Sequence, residues 1–152
     1  MREIERKFLV IGNEYKTGAK KQFIKQGFLS TDPERVVRVR IASKRSWLTL
    51  KSKNIGSIRK EFEYQIPIEE ANEIIALCIQ PIIEKIRYKI QHDRHIWEVD
   101  EFMGANEGLV IAEVELSSED EILSLPKWVG TEVTDDPKYY NNNLITNPYS
   151  NW

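Results

Sequence analysis

The 152-residue sequence predicts a mainly β domain built on an antiparallel sheet, open or closed. Three observations predict it. Segments with period-two alternation and many β-branched or aromatic residues recur along most of the chain. The stretches "TDPE", "SKRS", "KNIGS", "QHDR" and "MGANEG" break them with turn residues. A clear helical pattern is confined to "IPIEEANEIIALCI".

The elements follow in order. "EIERKFLV" (3–10) sets Glu3, Glu5 and Lys7 on one side and Ile4 and Phe8 on the other. "KQFIKQGFL" (21–29) is a strand by composition. "VVRVRIA" (36–42) opposes Arg38 and Arg40 to Val37, Val39 and Ile41. "SWLTLKSK" (46–53) opposes Thr49, Lys51 and Lys53 to Leu48 and Leu50. "RKEFEYQIP" (59–67) opposes Arg59, Glu61 and Glu63 to Phe62, Tyr64 and Ile66. The helix then places Ile68, Ala71, Ile74, Ile75 and Cys78 on one face, with Glu69, Glu70 and Glu73 toward solvent and Pro81 as its stop. "IIEKIRYKI" (82–90) opposes Lys85, Arg87 and Lys89 to Ile86, Tyr88 and Ile90. "HIWEVDEF" (95–102) sets Glu98 and Asp100 against Trp97 and Val99, and "GLVIAEVEL" (108–116) sets Glu113 and Glu115 against Ala112, Val114 and Leu116. A short helix is expected in "SSEDEILSL" (117–125), capped by Ser117 or Ser118. Another is expected in "PKYYNNNLI" (137–145), although its asparagines disfavour helix.

Composition narrows the function classes. A 41 % apolar content suffices for one ordinary domain with its own core. The net charge of −2 gives no bulk attraction to nucleic acid or acidic membranes, so any polyanion must be bound by local arrangement. Trp47, Trp97, Trp128 and Trp152 are too scattered for a base-stacking platform. The one cysteine, Cys78, reads as a core residue. His92 and His95 flank a turn without a third zinc ligand nearby and read as turn residues. "MREIERKF" has no apolar run behind its charges, and no window approaches a membrane span, so a cytoplasmic protein is expected.

The charged strand faces carry the functional signal. An ordinary antiparallel sheet can turn one charged face to water. These faces, however, are almost purely ionic. Arg38, Arg40 and Lys51 share adjacent cationic strands, while Glu98, Asp100, Glu113 and Glu115 share adjacent anionic ones. Like charges on neighbouring strands destabilise a sheet, and a solvent face gains nothing from that. If the sheet closes with this face inward, the acids Glu3, Glu5, Glu61, Glu63, Glu98, Asp100, Glu113 and Glu115 meet the bases Lys7, Arg38, Arg40, Lys51, Arg59, Lys85 and Arg87, one acid in excess. Clustered carboxylates suit Mg²⁺ or Mn²⁺, and clustered guanidinium and ammonium groups suit phosphate oxygens. A lumen holding both poles fits a metal–polyphosphate complex.

The motifs resemble those of the CYTH superfamily, the triphosphate tunnel metalloenzymes. "EIERK" has the ExExK form, and "RVR", "TLK", "KEFEYQI", "EKIRY", "EVDEF" and "AEVEL" follow in the order and parity of short microbial members. "EVTDDPKYYNNNL" is similar to the segment that closes one tunnel mouth. The resemblance covers nearly the whole chain. It implies a single domain over 1–152: an eight-stranded antiparallel barrel, closed into a tunnel, with a few helices outside. It implies a small-molecule triphosphate as partner, a divalent cation (Mg²⁺ or Mn²⁺), and a monomer or homodimer without nucleic-acid or membrane partners. By resemblance, Lys7, Arg38, Arg40, Lys51, Lys85 and Arg87 hold phosphates. Glu3, Glu5, Glu61, Glu63, Asp100, Glu113 and Glu115 supply or support metal coordination. Arg59 and Glu98 match charged positions, and Lys138 is expected to touch phosphate from the mouth. Lys53 and Lys89 are expected as solvated strand ends.

The expected reaction is hydrolysis of inorganic triphosphate to pyrophosphate and phosphate, with Glu5, Glu63 or Lys85 assisting the attacking water. The alternatives are a thiamine- or nucleoside-triphosphatase, a class IV-type adenylyl cyclase, and a non-catalytic polyphosphate-binding module. One residue departs from the pattern: short members commonly read "QGYL", and here "QGFL" leaves Phe28 without a phenol to pair with Lys85.

Overall fold

The computed structural model describes residues 2–152. Eight strands follow the predicted alternation: β1 (Arg2–Val10), β2 (Lys20–Ser30), β3 (Arg35–Ala42), β4 (Arg45–Ser52), β5 (Ile58–Ile66), β6 (Ile79–His92), β7 (His95–Phe102) and β8 (Val110–Glu115). They hydrogen-bond in the order β5-β4-β3-β2-β6-β7-β8-β1, every neighbouring pair antiparallel. The β1–β5 pairing then closes the sheet into a barrel, with Glu3 opposite Arg59. The closed alternative is therefore the one the chain adopts.

The seam is short, covering Arg2–Ile4 of β1 and Ile58–Lys60 of β5. Further along β1 that edge is taken by a ninth strand, β9 (Val129–Glu132), which pairs through Phe8 and Val10. Sequence alternation does not reveal β9, because four residues are too few to show a period. Gly130 permits the approach: a Cβ there would lie 3.2 Å from the Leu9 carbonyl oxygen.

Of the predicted helices, one forms. α1 (Ile68–Leu77) lays Ala71, Ile74, Ile75 and the following Cys78 on Val39, Ile41, Ile66 and Ile82 of the outer wall. The segment 117–125 is not helical. Glu121 is claimed instead by Ser117 and by His95, whose Nε2 lies 2.6 Å away, while Leu123 packs on the outer wall. The segment 137–145 forms a 3₁₀ turn at Pro137–Tyr139 and then irregular turns. Its asparagines bond elsewhere: Asn142 donates to the Thr31 carbonyl and Asn143 to the Pro137 carbonyl. Side chains that compete for backbone and distant partners explain both losses.

Outside, Phe8, Tyr88, Trp97, Val99, Ala112 and Val114 are covered by Tyr15, Leu116 and Trp128. Inside, the lumen face changes character along the barrel. Residues two apart share a face, so Arg38 is followed inward by Val36, Lys85 by Ile83, Asp100 by Phe102, Glu113 by Ile111 and Gln26 by Phe28. These apolar residues meet Leu109, Leu144 and Ile145 in a buried floor. The tunnel therefore has an ionic belt and an apolar plug, and the plug anchors the closing segment 134–147. Among the described residues no helix is long and apolar enough to cross a membrane.

Leu144 is fully buried in that plug. Leu144→Ala is expected to cost about 2–5 kcal/mol of folding stability, read from urea denaturation at neutral pH. A loss within the error of the measurement would contradict the plug.

Candidate active site

The ionic belt surrounds two chambers that share part of their lining. The larger, about 750 Å³, is lined by Arg38, Arg40, Trp47, Glu61, Glu63, Glu98 and Glu115 among others. The smaller, about 80 Å³, is lined by Lys7, Phe28, Arg59, Lys85, Tyr140 and Asn141 among others. Glu3, Glu5, Arg38, Lys51, Arg87 and Glu113 line both.

The closed barrel brings charges together both across neighbouring ladders and between strands that are not neighbours. Lys51 of β4 lies 3.2 Å from Glu3 of β1 and 3.5 Å from Glu61 of β5. Arg38 and Arg40 of β3 each lie 3.6 Å from Glu63 of β5, which also accepts a 3.0 Å hydrogen bond from the buried Thr49 hydroxyl. Lys7 lies 3.6 Å from Glu113 and donates to the Tyr139 carbonyl.

The most buried group is a triad. Asp100, 0 % exposed, accepts two hydrogen bonds from Arg87, at 2.7 and 2.8 Å, and lies 2.8 Å from the Lys85 ammonium. Arg87 also reaches Glu98 at 3.2 Å. Sequence placed Asp100 with metal-supporting carboxylates. In the structure it lines neither chamber, and both its oxygens accept from Arg87.

Electrostatics separate the paired from the unpaired groups. Burial would raise the Asp100 and Glu113 acids, but Arg87 and Lys85 hold Asp100 below the usual range, and Lys7, Arg87 and Lys85 hold Glu113 well below it. Glu5 behaves oppositely: burial, then the Glu113 and Glu3 charges, push it well above the usual carboxylate range. Glu115 is raised by burial and by Glu3 and Glu98. Glu5 and Glu115 face each other across the β1–β8 ladder. Burial lowers Lys85 to about 8, with Arg87 adding to the effect and Asp100 opposing it. Burial, with Arg38 and Arg87 close by, lowers Arg40 to about 10.

Two sets of groups are left incompletely partnered. The buried Nε atoms of Arg38, Arg40 and Arg59 have no hydrogen-bond partner. Among the described residues, Glu5 and Glu115 make no ion pair. No three carboxylates, imidazoles or thiols among the described residues converge tightly enough to enclose a metal ion as the side chains stand. The donor set is nonetheless all oxygen and mutually repelling, which suits a hard divalent cation.

Most sequence-predicted site residues meet in the belt. Lys138 does not: it is exposed, with its ammonium 4.2 Å from the centroid of the Trp152 ring. Lys89 sits half-exposed at the wide mouth, 3.7 Å from Glu98, and Lys53 is exposed beyond the end of β4. His95 and His92 tie down the 117–125 segment, through Glu121 and Ser124. Phe28 packs in the plug. The sequence reading missed Gln26 and Asn141. Gln26 lies on the inner face of β2, and parity could have found it. Asn141 comes from a segment without periodicity, and nothing in the sequence marks it.

A family model described as CYTH domain matches residues 1–146. The chain is 51 % identical over 152 residues to the inorganic triphosphatase of Acetivibrio thermocellus, covering 99 % of this chain and 97 % of that protein. It is 35 % identical over 149 residues to the inorganic triphosphatase of Nitrosomonas europaea, covering 95 % and 97 %. The crystal structure of the inorganic triphosphatase NE1496 superposes with a TM-score of 0.68 at 32 % identity, covering 94 % of this chain and 93 % of that one.

The raised Glu5 acid has a measurable consequence. A group whose folded-state pKa lies above its unfolded value contributes stability below the unfolded pKa and loses it as pH rises through the folded one. In chelator, Glu5→Gln is therefore expected to raise the melting temperature at pH 8 and leave it nearly unchanged at pH 4. A variant less stable than the parent at pH 8 would contradict the crowded carboxylates.

Proposed function

The chain belongs to the CYTH domain family, and from that premise we propose that it hydrolyses inorganic triphosphate to pyrophosphate and phosphate, using Mg²⁺ or Mn²⁺. The observation that carries this reading is the pair of incompletely partnered poles, arginine Nε donors and crowded carboxylates, in one lumen. Buried guanidinium nitrogens without partners call for an anion rich in oxygens, and crowded carboxylates call for a cation. A metal–triphosphate complex supplies both at once.

The residues divide by pole. Arg38, Arg40, Lys51, Arg59, Arg87 and Lys7 would hold phosphate oxygens, the arginines through forked hydrogen bonds. Glu3, Glu5, Glu61, Glu113 and Glu115 would hold the cation, with Glu63 first orienting Arg38 and Arg40. A divalent cation bound there would lower the pKa of a water and offset phosphate charge. Asp100 would act through Arg87 and Lys85. Lys138 takes no part in this scheme.

Hydrolysis needs a water oxygen to bond to the terminal phosphorus while the anhydride P–O bond breaks. The electron pair leaves with pyrophosphate, where Arg38, Arg40 and Arg87 would stabilise it. The water proton needs an acceptor. Lys85 lines the small chamber and burial lowers its pKa to about 8, which makes its neutral amine accessible close to physiological pH. We assign it that role ahead of Glu63, whose charge is engaged by Arg38 and Arg40. The large chamber, about 750 Å³, is in the size range of whole small-molecule ligands. It makes thiamine or nucleoside triphosphates the second reading.

Phosphate release from tripolyphosphate, thiamine triphosphate and ATP tests both. Tripolyphosphate is expected to be cleaved fastest, to phosphate and pyrophosphate, with activity lost in chelator and restored by Mg²⁺ or Mn²⁺. Lys51→Ala and Glu5→Gln are each expected to lower turnover by about 100-fold or more while the fold survives. Near-normal turnover in both would overturn the proposal. A neutral-amine acceptor also fixes the sign of the pH dependence: kcat/KM should rise as pH increases through about 8. A fall over that range would instead make Lys85 a cationic phosphate ligand.

A further inference from the structure

Lys85 is 2 % exposed, and groups from β7 and the closing segment lie against its nitrogen. β6 supplies the side chain, and β7 supplies Asp100 at 2.8 Å. β7 also places Phe102 with its ring centroid 5.3 Å from Nζ. The closing segment supplies Asn141, whose side-chain Oδ1 accepts from Lys85 Nζ at 2.8 Å. The same Oδ1 accepts from Gln26 Nε2 of β2, also at 2.8 Å. Gln26 is itself 0 % exposed. Two donors converge on one oxygen, so the Asn141 amide can face only one way.

This second tether matters because Asp100 lines neither chamber, whereas Asn141 lines the small one. A lysine stem has four rotatable bonds, and ordering it costs about 1.5–2 kcal/mol. Held by Asp100 alone, the nitrogen would be drawn toward the wall and away from the open volume. Phe28, which also lines this chamber, brings no hydrogen-bonding group. The geometry points to Asn141 as a positioning residue for the hydrolytic reaction: its side-chain carbonyl holds the Lys85 nitrogen at the wall of the small chamber. The segment 134–147 thereby completes the site as well as closing it. The inference rests on the role assigned to Lys85 under the proposed function.

Three variants test it by steady-state tripolyphosphate hydrolysis under saturating divalent cation. Asn141→Leu keeps the shape and removes the acceptor, Asn141→Ala removes both, and Asn141→Asp keeps the shape and an acceptor oxygen. The first two are expected to lose about 10- to 100-fold in kcat, the penalty for a misplaced catalytic group, with KM little changed. Asn141→Asp is expected to recover most of that kcat only on the high-pH plateau, with the rise shifted to higher pH because the added carboxylate favours the Lys85 ammonium, and to raise KM because it repels the substrate. A kcat within twofold of the parent in either deletion overturns the role. So does an Asn141→Asp variant as slow as Asn141→Leu on that high-pH plateau. Thermal melts identify any variant that fails to fold, and either deletion is decisive alone. A parent protein that releases no phosphate from tripolyphosphate overturns the hydrolase reading and this role with it; an active parent with unaffected deletions overturns the role alone.

Discussion

Charge confinement governs this molecule. Closing the barrel forces the ionic faces of its strands to look at each other across a narrow lumen, away from bulk water. Removing an ion from water costs several kcal/mol unless a partner compensates. Part of the lumen solves this internally, through Asp100 with Arg87 and Lys85, Lys51 with Glu3 and Glu61, and Glu63 with Arg38 and Arg40. The remainder is unsolved in the protein alone. Arginine Nε donors stay unpartnered and Glu5 is crowded by like charge. That residue of uncompensated charge is what a ligand carrying both signs would relieve.

The rest of the fold makes such confinement tolerable. Strand alternation sends every other residue to an apolar outer wall, covered by α1 on one side and by Tyr15, Leu116 and Trp128 on the other. The inner faces turn apolar toward one end, where Leu144 and Ile145 seat the closing segment. The ionic belt is thus bounded by packed hydrocarbon on its outside and at its floor. A low-dielectric boundary of this kind strengthens every electrostatic interaction within the belt. It also explains why Lys85, next to the floor, gives up its proton more readily than an exposed lysine.

How much was legible in the sequence follows from which signals are periodic. Glu3, Glu5, Arg38, Arg40, Lys51, Glu113 and Glu115 were all placed on the inner face by parity, because a strand writes its facing into every second residue. Parity could not show that Asp100 turns behind Arg87, since that depends on which of two inward neighbours is longer and reaches the cavity. β9 was invisible because four residues carry no period. The expected helix at 117–125 was overridden by His95 and Ser117 claiming Glu121, and the one at 137–145 by Asn142 bonding to the Thr31 carbonyl and Asn141 to Gln26 and Lys85. Lys138 followed a motif into the closing segment, but its ammonium rests on Trp152. Asn141 reaches the chamber by tertiary placement alone.

The most direct test is diffraction from crystals grown with Mn²⁺ and a non-hydrolysable triphosphate analogue, with data collected at the manganese absorption edge. The account predicts an anomalous peak inside the lumen among Glu3, Glu5, Glu61, Glu113 and Glu115, with analogue oxygens on Arg38, Arg40 and Arg87. Manganese and analogue found only on the outer surface, with the lumen holding water, would contradict it.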